Sequence, residues 1–262
     1  MTLQWFGTAA LVLRENGTVI AFDPFGGIPL SSSHPEREEV SYAEDFRAAH
    51  DVFITHGHFD HILQIPSLYA STDTVIHATA TPCETLLRHG MSQQQLHTVT
   101  PGQTLAVGDF TLRLYQGRHC VFDFPIVLQT VLQPSLWRHL PHMLRLLRWN
   151  KAYPENGEIL FYEITANGKR VQIMGSMGLD DHTDYPTDAG VLILPYQGRS
   201  DLPMWGETLV RRLHPKSVLL DHYDNSFPPM TMQVDTTAFE TRMTDTFHIP
   251  CHALRQEQTY FL

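Results

Sequence analysis

The chain has 262 residues, 42% of them apolar and 18% charged, with a formal net charge of −10. That length is ample for a large buried core, and the composition is that of a folded globular protein, not a disordered or fibrous one. The negative balance disfavours DNA or RNA as a partner, because phosphate neutralisation supplies much of that affinity. No run of about 18 uncharged apolar residues is present, so no membrane-spanning helix is expected.

The opening stretch, "MTLQWFGTAALVLRENG", lacks a basic start, and its apolar run is broken by Arg14 and Glu15. It reads as the first strands of the fold and not as a secretion signal. Cys83, Cys120 and Cys251 are widely spaced, odd in number and form no CxxC pair. That pattern suits a reducing, cytoplasmic location and argues against a disulfide framework or a cysteine zinc knuckle.

Alternating and apolar runs bounded by turn residues dominate the first quarter. "LQWFG", "ALVLRENGTVIAFDPF" and "HDVFITH" read as strands, with Glu15-Asn16-Gly17 as a hairpin turn. Residues 27–45, rich in Ser, Pro and Glu, form a predicted surface loop leading into a short helix near "SYAEDFRAAH". A short helix, a strand at "TVIHA" and a helix at "TPCETLLRHG" ending at Gly90 follow. "TVTPGQTLAVGDFTLRLYQGRH" reads as two or three antiparallel strands joined by Gly-Asp and Pro-Gly turns.

The second half repeats the theme. "EILFYEITANGKRVQIMG" is a hairpin around Asn167-Gly168, "AGVLILPYQG" and "SVLLDH" are buried strands, and "WGETLVRRLHP" is helical. Hairpins mixed with strand–helix pairs predict two sheets packed face to face with helices outside. "YQGRH" at 115–119 is echoed by "YQGRS" at 196–200, a sign either of two related halves or of chance.

Residues 133–153, "QPSLWRHLPHMLRLLRWNKAY", differ in composition. Arg138, Arg145, Arg148 and Lys151 give +4 with no acid, and Leu136, Leu140, Met143, Leu144 and Leu147 recur at helical spacing. Pro141 should break or restart the helix. The stretch reads as a basic helical insertion at about 133–155 in one domain spanning 1–262. It either packs on the body, covers the active site as a lid, or contacts a membrane surface or a second copy in a homo-oligomer.

"FITHGHFDHIL", residues 53–63, crowds His56, His58, Asp60 and His61 into one turn at the end of a strand. In sheet proteins this is where functional loops gather. His56 and His58 are two apart, so in extended backbone they project the same way and form half of a metal site. Asp60 and His61 sit where the chain turns into a helix, placed to serve a second ion or to orient a water. Gly57 leaves room for close backbone approach.

HxHxDH after such a strand resembles the signature of the metallo-β-lactamase-fold hydrolases. "WFGTAALVL" followed by "GTVIAFDPF" is similar to the opening of the branch that contains ascorbate-6-phosphate lactonase and the N-acylphosphatidylethanolamine phospholipases D, where a "W-x-G" strand precedes a hairpin ending in "DP". The resemblance runs from Trp5 to about His222 and is loose outside the motifs. It implies an α/β fold, an αββα sandwich of two mixed sheets with metals at one edge. By the same analogy His56, His58 and His119 hold one divalent ion, and Asp60, His61 and His222 hold the other. Zinc is the first expectation, with manganese or iron as alternatives.

One ligand of that pattern is missing. Many relatives carry "GD" after a strand, whose aspartate bridges the ions, but "VQIMGSMGL" places Ser176 there. A neutral serine cannot supply the bridging charge, which weakens a second site through repulsion. Asp180 or Asp181 in "GLDDHTD" is the candidate substitute.

The implied activity is hydrolysis of a small ester, lactone or phosphodiester by a metal-bound hydroxide, with Asp60 orienting the water and accepting its proton. Arg118 and Arg199 are candidate contacts for an anionic substrate group, with structural salt bridges as the competing role. Lipid phosphodiester hydrolysis and a non-catalytic or degenerate metal-binding role are the alternatives. No GxSxG elbow or P-loop occurs.

Overall fold

The structure is a computed structural model and describes residues 1–36, 40 and 42–262. Strands β1 (Thr2–Trp5), β2 (Leu11–Glu15) and β3 (Thr18–Phe22) form an antiparallel meander. The β2–β3 turn is the expected Asn16-Gly17 pair, with φ of 47° and 86°, the positive angles that a tight two-residue hairpin requires. Of the predicted 27–45 loop, residues 37–39 and 41 lie outside the described residues. It leads to α1 (Ala43–Arg47) and β4 (Asp51–Phe53).

Two short helices follow, α2 (Phe59–Ile62) and α3 (Ile65–Tyr69), then β5 (Val75–Ala78), α4 (Ala80–Arg88) and β6 (Leu96–Thr98). Strands β3 to β6 pair in parallel, so the first sheet runs β1-β2-β3-β4-β5-β6, with β14 (Thr259–Phe261) added antiparallel outside β1. The second sheet begins with β7 (Thr104–Val107) and β8 (Phe110–Gln116), joined through Gly108-Asp109 as expected. The Pro101-Gly102 turn is different. It joins no hairpin, because β6 pairs in parallel with β5 and the turn carries the chain from one sheet to the other.

Helices α5 (Phe124–Leu132), α6 (Pro134–Arg138) and α7 (Leu140–Ala152) separate β8 from β9 (Leu160–Ala166). The helical excursion thus starts nine residues before its expected boundary at 133. Its first helix has a sequence, "FPIVLQTVL", whose β-branched residues disguise it. Pro141 does restart a helix, sitting in the first turn of α7, where its missing N–H costs nothing.

The remaining elements are β10 (Lys169–Met174), β11 (Val191–Pro195), α8 (Leu202–Leu213), β12 (Val218–Asp221), α9 (Thr237–Phe247), β13 (Cys251–Ala253) and β14 (Thr259–Phe261). The second sheet runs β13-β12-β11-β10-β9-β8-β7. Each sheet has three antiparallel pairings followed by three parallel ones. The halves are therefore alike in topology, but the YQGR echo does not mark it: β8 and β11 lie in the same sheet at unequal places.

Three apolar layers follow from strand alternation. Leu11, Leu13, Phe22 and Phe53 meet Leu112, Tyr162, Ile173 and Ile193 between the sheets. Val12, Ala21, Val52 and Ile76 face Phe46, Ile62, Leu68 and Leu86 under the first helical layer. Leu192, Leu194, Val218 and Leu220 face Leu209, Leu213, Phe239 and Met243 under the second. The order helix, sheet, sheet, helix is the expected αββα sandwich.

One polar contact crosses the middle layer. Fully buried Tyr162 donates its hydroxyl hydrogen bond to the Ile54 carbonyl at 2.8 Å, just past β4. Tyr162→Phe strands that carbonyl and should lower stability by about 1–2 kcal/mol. Urea unfolding should show an earlier midpoint with an unchanged slope.

Candidate metal centre

The turn after β4 begins with Ile54 and Thr55, and the next three residues bring His56, Gly57 and His58 to the sheet edge. His58 is extended (φ −64°, ψ 153°) and precedes the first turn of α2, where its carbonyl accepts from His61 and Ile62 N–H. Asp60 and His61 therefore stand on the first turn of a helix, one residue beyond the extended pair. Gly57 is required by contact: a Cβ there would lie 2.4 Å from the Pro154 carbonyl oxygen.

His119 arrives three residues past the end of β8, and His222 one residue past the end of β12. Side-chain donor atoms of His56, His58 and His119 fall within 4.8 Å of one another, and those of Asp60, His61 and His222 form a second such group. The groups adjoin, with the His56 and His61 rings 3.9 Å apart between centroids. All six residues singled out in the sequence as ligands converge.

Hydrogen bonds orient the rings. Thr55 Oγ1 donates to Asp23 Oδ2 at 2.6 Å and lies 3.1 Å from His56 Nδ1, so it accepts from that nitrogen and leaves His56 Nε2 as an electron-pair donor. His119 Nδ1 is 2.9 Å from the Cys120 carbonyl, which likewise frees Nε2. His56 Nε2 and His58 Nδ1 converge to 3.1 Å. Two nitrogens bound to one tetrahedral zinc would stand about 3.3 Å apart. In the second group His222 Nε2 is 3.3 Å from Asp60 Oδ2, and His222 Nδ1 is buried with no partner among the described residues. The donor set fits a divalent cation.

Asp23 was missed as a site residue. Fully buried at the end of the β2–β3 hairpin, it accepts from Thr55 N (2.8 Å) and Thr55 Oγ1, and its Oδ2 is 2.9 Å from His61 Nδ1. A carboxylate behind a ligand histidine fixes its tautomer and strengthens it as a donor. The "DP" that ends the hairpin was its only mark in the sequence.

The W-x-G stretch also has a structural task. Trp5 Nε1 donates to the Thr8 carbonyl at 2.8 Å, and that carbonyl accepts from His222 N–H at 2.8 Å. Trp5 stacks on Tyr223 at 5.2 Å, and Asp224 caps Thr8 N–H. These contacts hold His222 in a left-handed conformation with φ of 54°. Next to it Asp221 is buried with neither carboxylate oxygen partnered among the described residues. Burial pushes its pKa up to about 7, against the lowering effect of His222.

Gly175 packs so closely that a Cβ would be 2.7 Å from Thr55 Cβ. Ser176 follows it, and its Oγ accepts from Cys120 N–H at 2.9 Å, steadying the residue after His119. Asp180 and Asp181 join neither cluster. Asp180 accepts from His182 N–H and Thr183 Oγ1 within its own turn, and Asp181 pairs with Arg118 at the exposed surface. Arg199 is clamped by Asp201, donates to the Val121 carbonyl and lies over Trp205. These local partners already engage both arginines.

Solved structures share this architecture. Igni18, a metallo hydrolase from Ignicoccus hospitalis, superposes with a TM-score of 0.63 at 18% identity, covering 100% of this chain and 98% of that one. An isothiocyanate hydrolase from Delia radicum gut bacteria gives 0.64 at 13% identity, covering 100% and 99%. Residues 18–121 match the family model of the beta-lactamase superfamily domain. The chain has the metallo-β-lactamase fold. Among curated sequences bearing on this metallo-β-lactamase-fold chain, a UPF0173 metal-dependent hydrolase of Methylocella silvestris is 31% identical over 119 residues. That match covers 45% of this chain and 48% of the relative. The chain spans about half the length of the curated relatives it matches.

Proton affinities divide the site. Burial lowers His56, His119 and, to about 4, His58. Burial opposes charge on His222 too, but the Asp60 hydrogen bond and charge raise it to about 9. His61 is raised against burial by Asp23 and then Asp60. Burial works against the Asp60 carboxylate, yet His61 and His222 hold it well below the usual range. Metal-free protein followed by ring-proton NMR should show His58 losing its proton near pH 4 and His222 near pH 9. Asp60→Asn should return the His222 midpoint towards the ordinary value.

Proposed function

We propose that the chain is a metal-dependent hydrolase of a small ester, lactone or phosphodiester. The observation that carries this is the convergence of six ligand-type side chains, from three separate strand ends, into two adjoining clusters. His56, His58 and His119 would hold one divalent cation and Asp60, His61 and His222 a second. A bound cation of this kind makes water acidic near neutrality and polarises a carbonyl or phosphoryl oxygen. Imidazole with carboxylate suits zinc first, then manganese or iron.

The chain's own residues supply the remainder. Asp60, kept ionised by His61 and His222, orients the attacking water and takes its proton. Asp23 and Thr55 keep the imidazoles from rotating, so little reorganisation accompanies reaction. His58, His119 and His222 are only half-buried, and substrate approaches from that side. The substrate is a small molecule, and with a net charge of −10 nucleic acid is not the partner.

Removing metal with a chelator should abolish hydrolysis across an ester, lactone and phosphodiester panel, and readdition should restore it. Asp60→Asn should lower kcat by about 10²–10⁴. Absence of turnover in zinc, manganese and iron forms would defeat this reading.

Ser176 favours a second reading, a metal-binding protein without catalysis, because the bridging carboxylate is absent. Two dications beside one ionised Asp60 repel, although buried Asp23 lies one residue behind and offsets part of that charge. Ser176→Asp should raise affinity for the second ion roughly tenfold or more. Competition against a chromophoric chelator, counting equivalents per chain, reads this directly.

A further inference from the structure

Helix α5 is inside out. A helix on a protein surface normally turns its apolar stripe to the core. Phe124, Val127, Leu128, Val131 and Leu132 form such a stripe at i, i+3, i+4, i+7 and i+8, and all five are exposed, Phe124 by 76% and Leu132 by 68%. No residue of this helix is buried. Trp137 on α6 is 60% exposed. On α7 the inward face carries His142 and Leu146, while Leu140, Leu144 and Leu147 point outward.

The outward face of α7 continues into Arg148 and Lys151, and Arg138 is exposed on α6. None of these three cations pairs with an acid among the described residues; Arg145 is instead spent on the Ser32 and Ser33 carbonyls. From 124 to 154 there is no Asp or Glu, in a chain whose net charge is −10. Apolar area rimmed by uncompensated positive charge is the chemistry of a helix lying in a lipid headgroup layer.

We propose that helices α5 to α7 form a docking surface for an anionic lipid bilayer. The stripe of α5 and Trp137 enter the acyl boundary, and Arg138, Arg148 and Lys151 meet lipid phosphates. A second copy of the chain fits less well, because a two-fold face would set this basic rim against itself. The surface borders the candidate metal centre on two sides. Phe122, next to α5, lies 6.0 Å from the His119 ring, and Trp149 of α7 lies 6.3 Å from Phe59 of α2. Docking therefore brings the clusters to headgroup depth. The inference goes beyond the hydrolase reading and does not rest on it.

Flotation of the full chain with phosphatidylcholine vesicles, with and without phosphatidylglycerol, tests it. The chain should float with the anionic vesicles and much less with the neutral ones. Arg148→Gln and Lys151→Gln should each weaken binding by about five-fold, as one cation near such a surface is expected to contribute. Phe124→Glu with Leu132→Glu should abolish flotation while leaving the thermal melting curve unchanged. Flotation no greater than without vesicles, or flotation indifferent to these changes, overturns the proposal. So does light scattering that shows a dimer which Leu132→Glu converts to monomer, with no vesicle binding, since the face then belongs to a second copy.

Discussion

A single buried charge organises the edge of this sandwich. The Asp23 carboxylate has no contact with solvent, and a bare charge in that place would cost several kcal/mol. It is satisfied by the Thr55 N–H and hydroxyl and by His61 Nδ1, while its own N–H donates to the Phe53 carbonyl. Those contacts exist only because β3 and β4 pair in parallel, with Phe22 opposite Phe53. The parallel register thus sets the Asp23–Thr55 contact, and that contact sets the rings of His56 and His61. The four remaining cluster residues are then brought up against this fixed point, His58 and Asp60 at the start of α2, His119 after β8 and His222 after β12.

Much of the architecture was legible in order along the chain. Strand alternation at "ALVLRENGTVIAFDPF", the Asn16-Gly17 turn and the crowded His56–His61 segment are local patterns, and each sits where its chemistry requires. The supporting residues were not legible in the same way. Asp23 and Thr55 meet only through the pairing of β3 with β4, and Thr8 meets His222, across most of the sequence, only through the packing of one sheet on the other. The Pro101-Gly102 turn reads as a hairpin by composition, and only the pairing of β6 with β5 shows that the chain changes sheets. Helix α5 was hidden for another reason: its Ile, Val and Thr content favours strand.

Ser176 shows how a departure from a motif can be absorbed. Its hydroxyl accepts from Cys120 N–H and thereby steadies the residue whose carbonyl accepts the hydrogen bond from His119 Nδ1. The negative charge near the second cluster then comes from Asp60 in contact and Asp23 behind His61. That arrangement makes the two clusters chemically unequal, three imidazoles of depressed basicity in one and a carboxylate with two basic imidazoles in the other.

The close seat of Gly57 against the Pro154 carbonyl carries a mechanical implication. Pro154 is two residues past the end of α7, and between it and the backbone joining His56 to His58 there is no room for a methyl group. The contact leaves no room for closer approach. A tilt of the outer helices towards this loop has to be taken up by the segment that presents the imidazoles, so the placing of the ring nitrogens is set partly by how those helices rest.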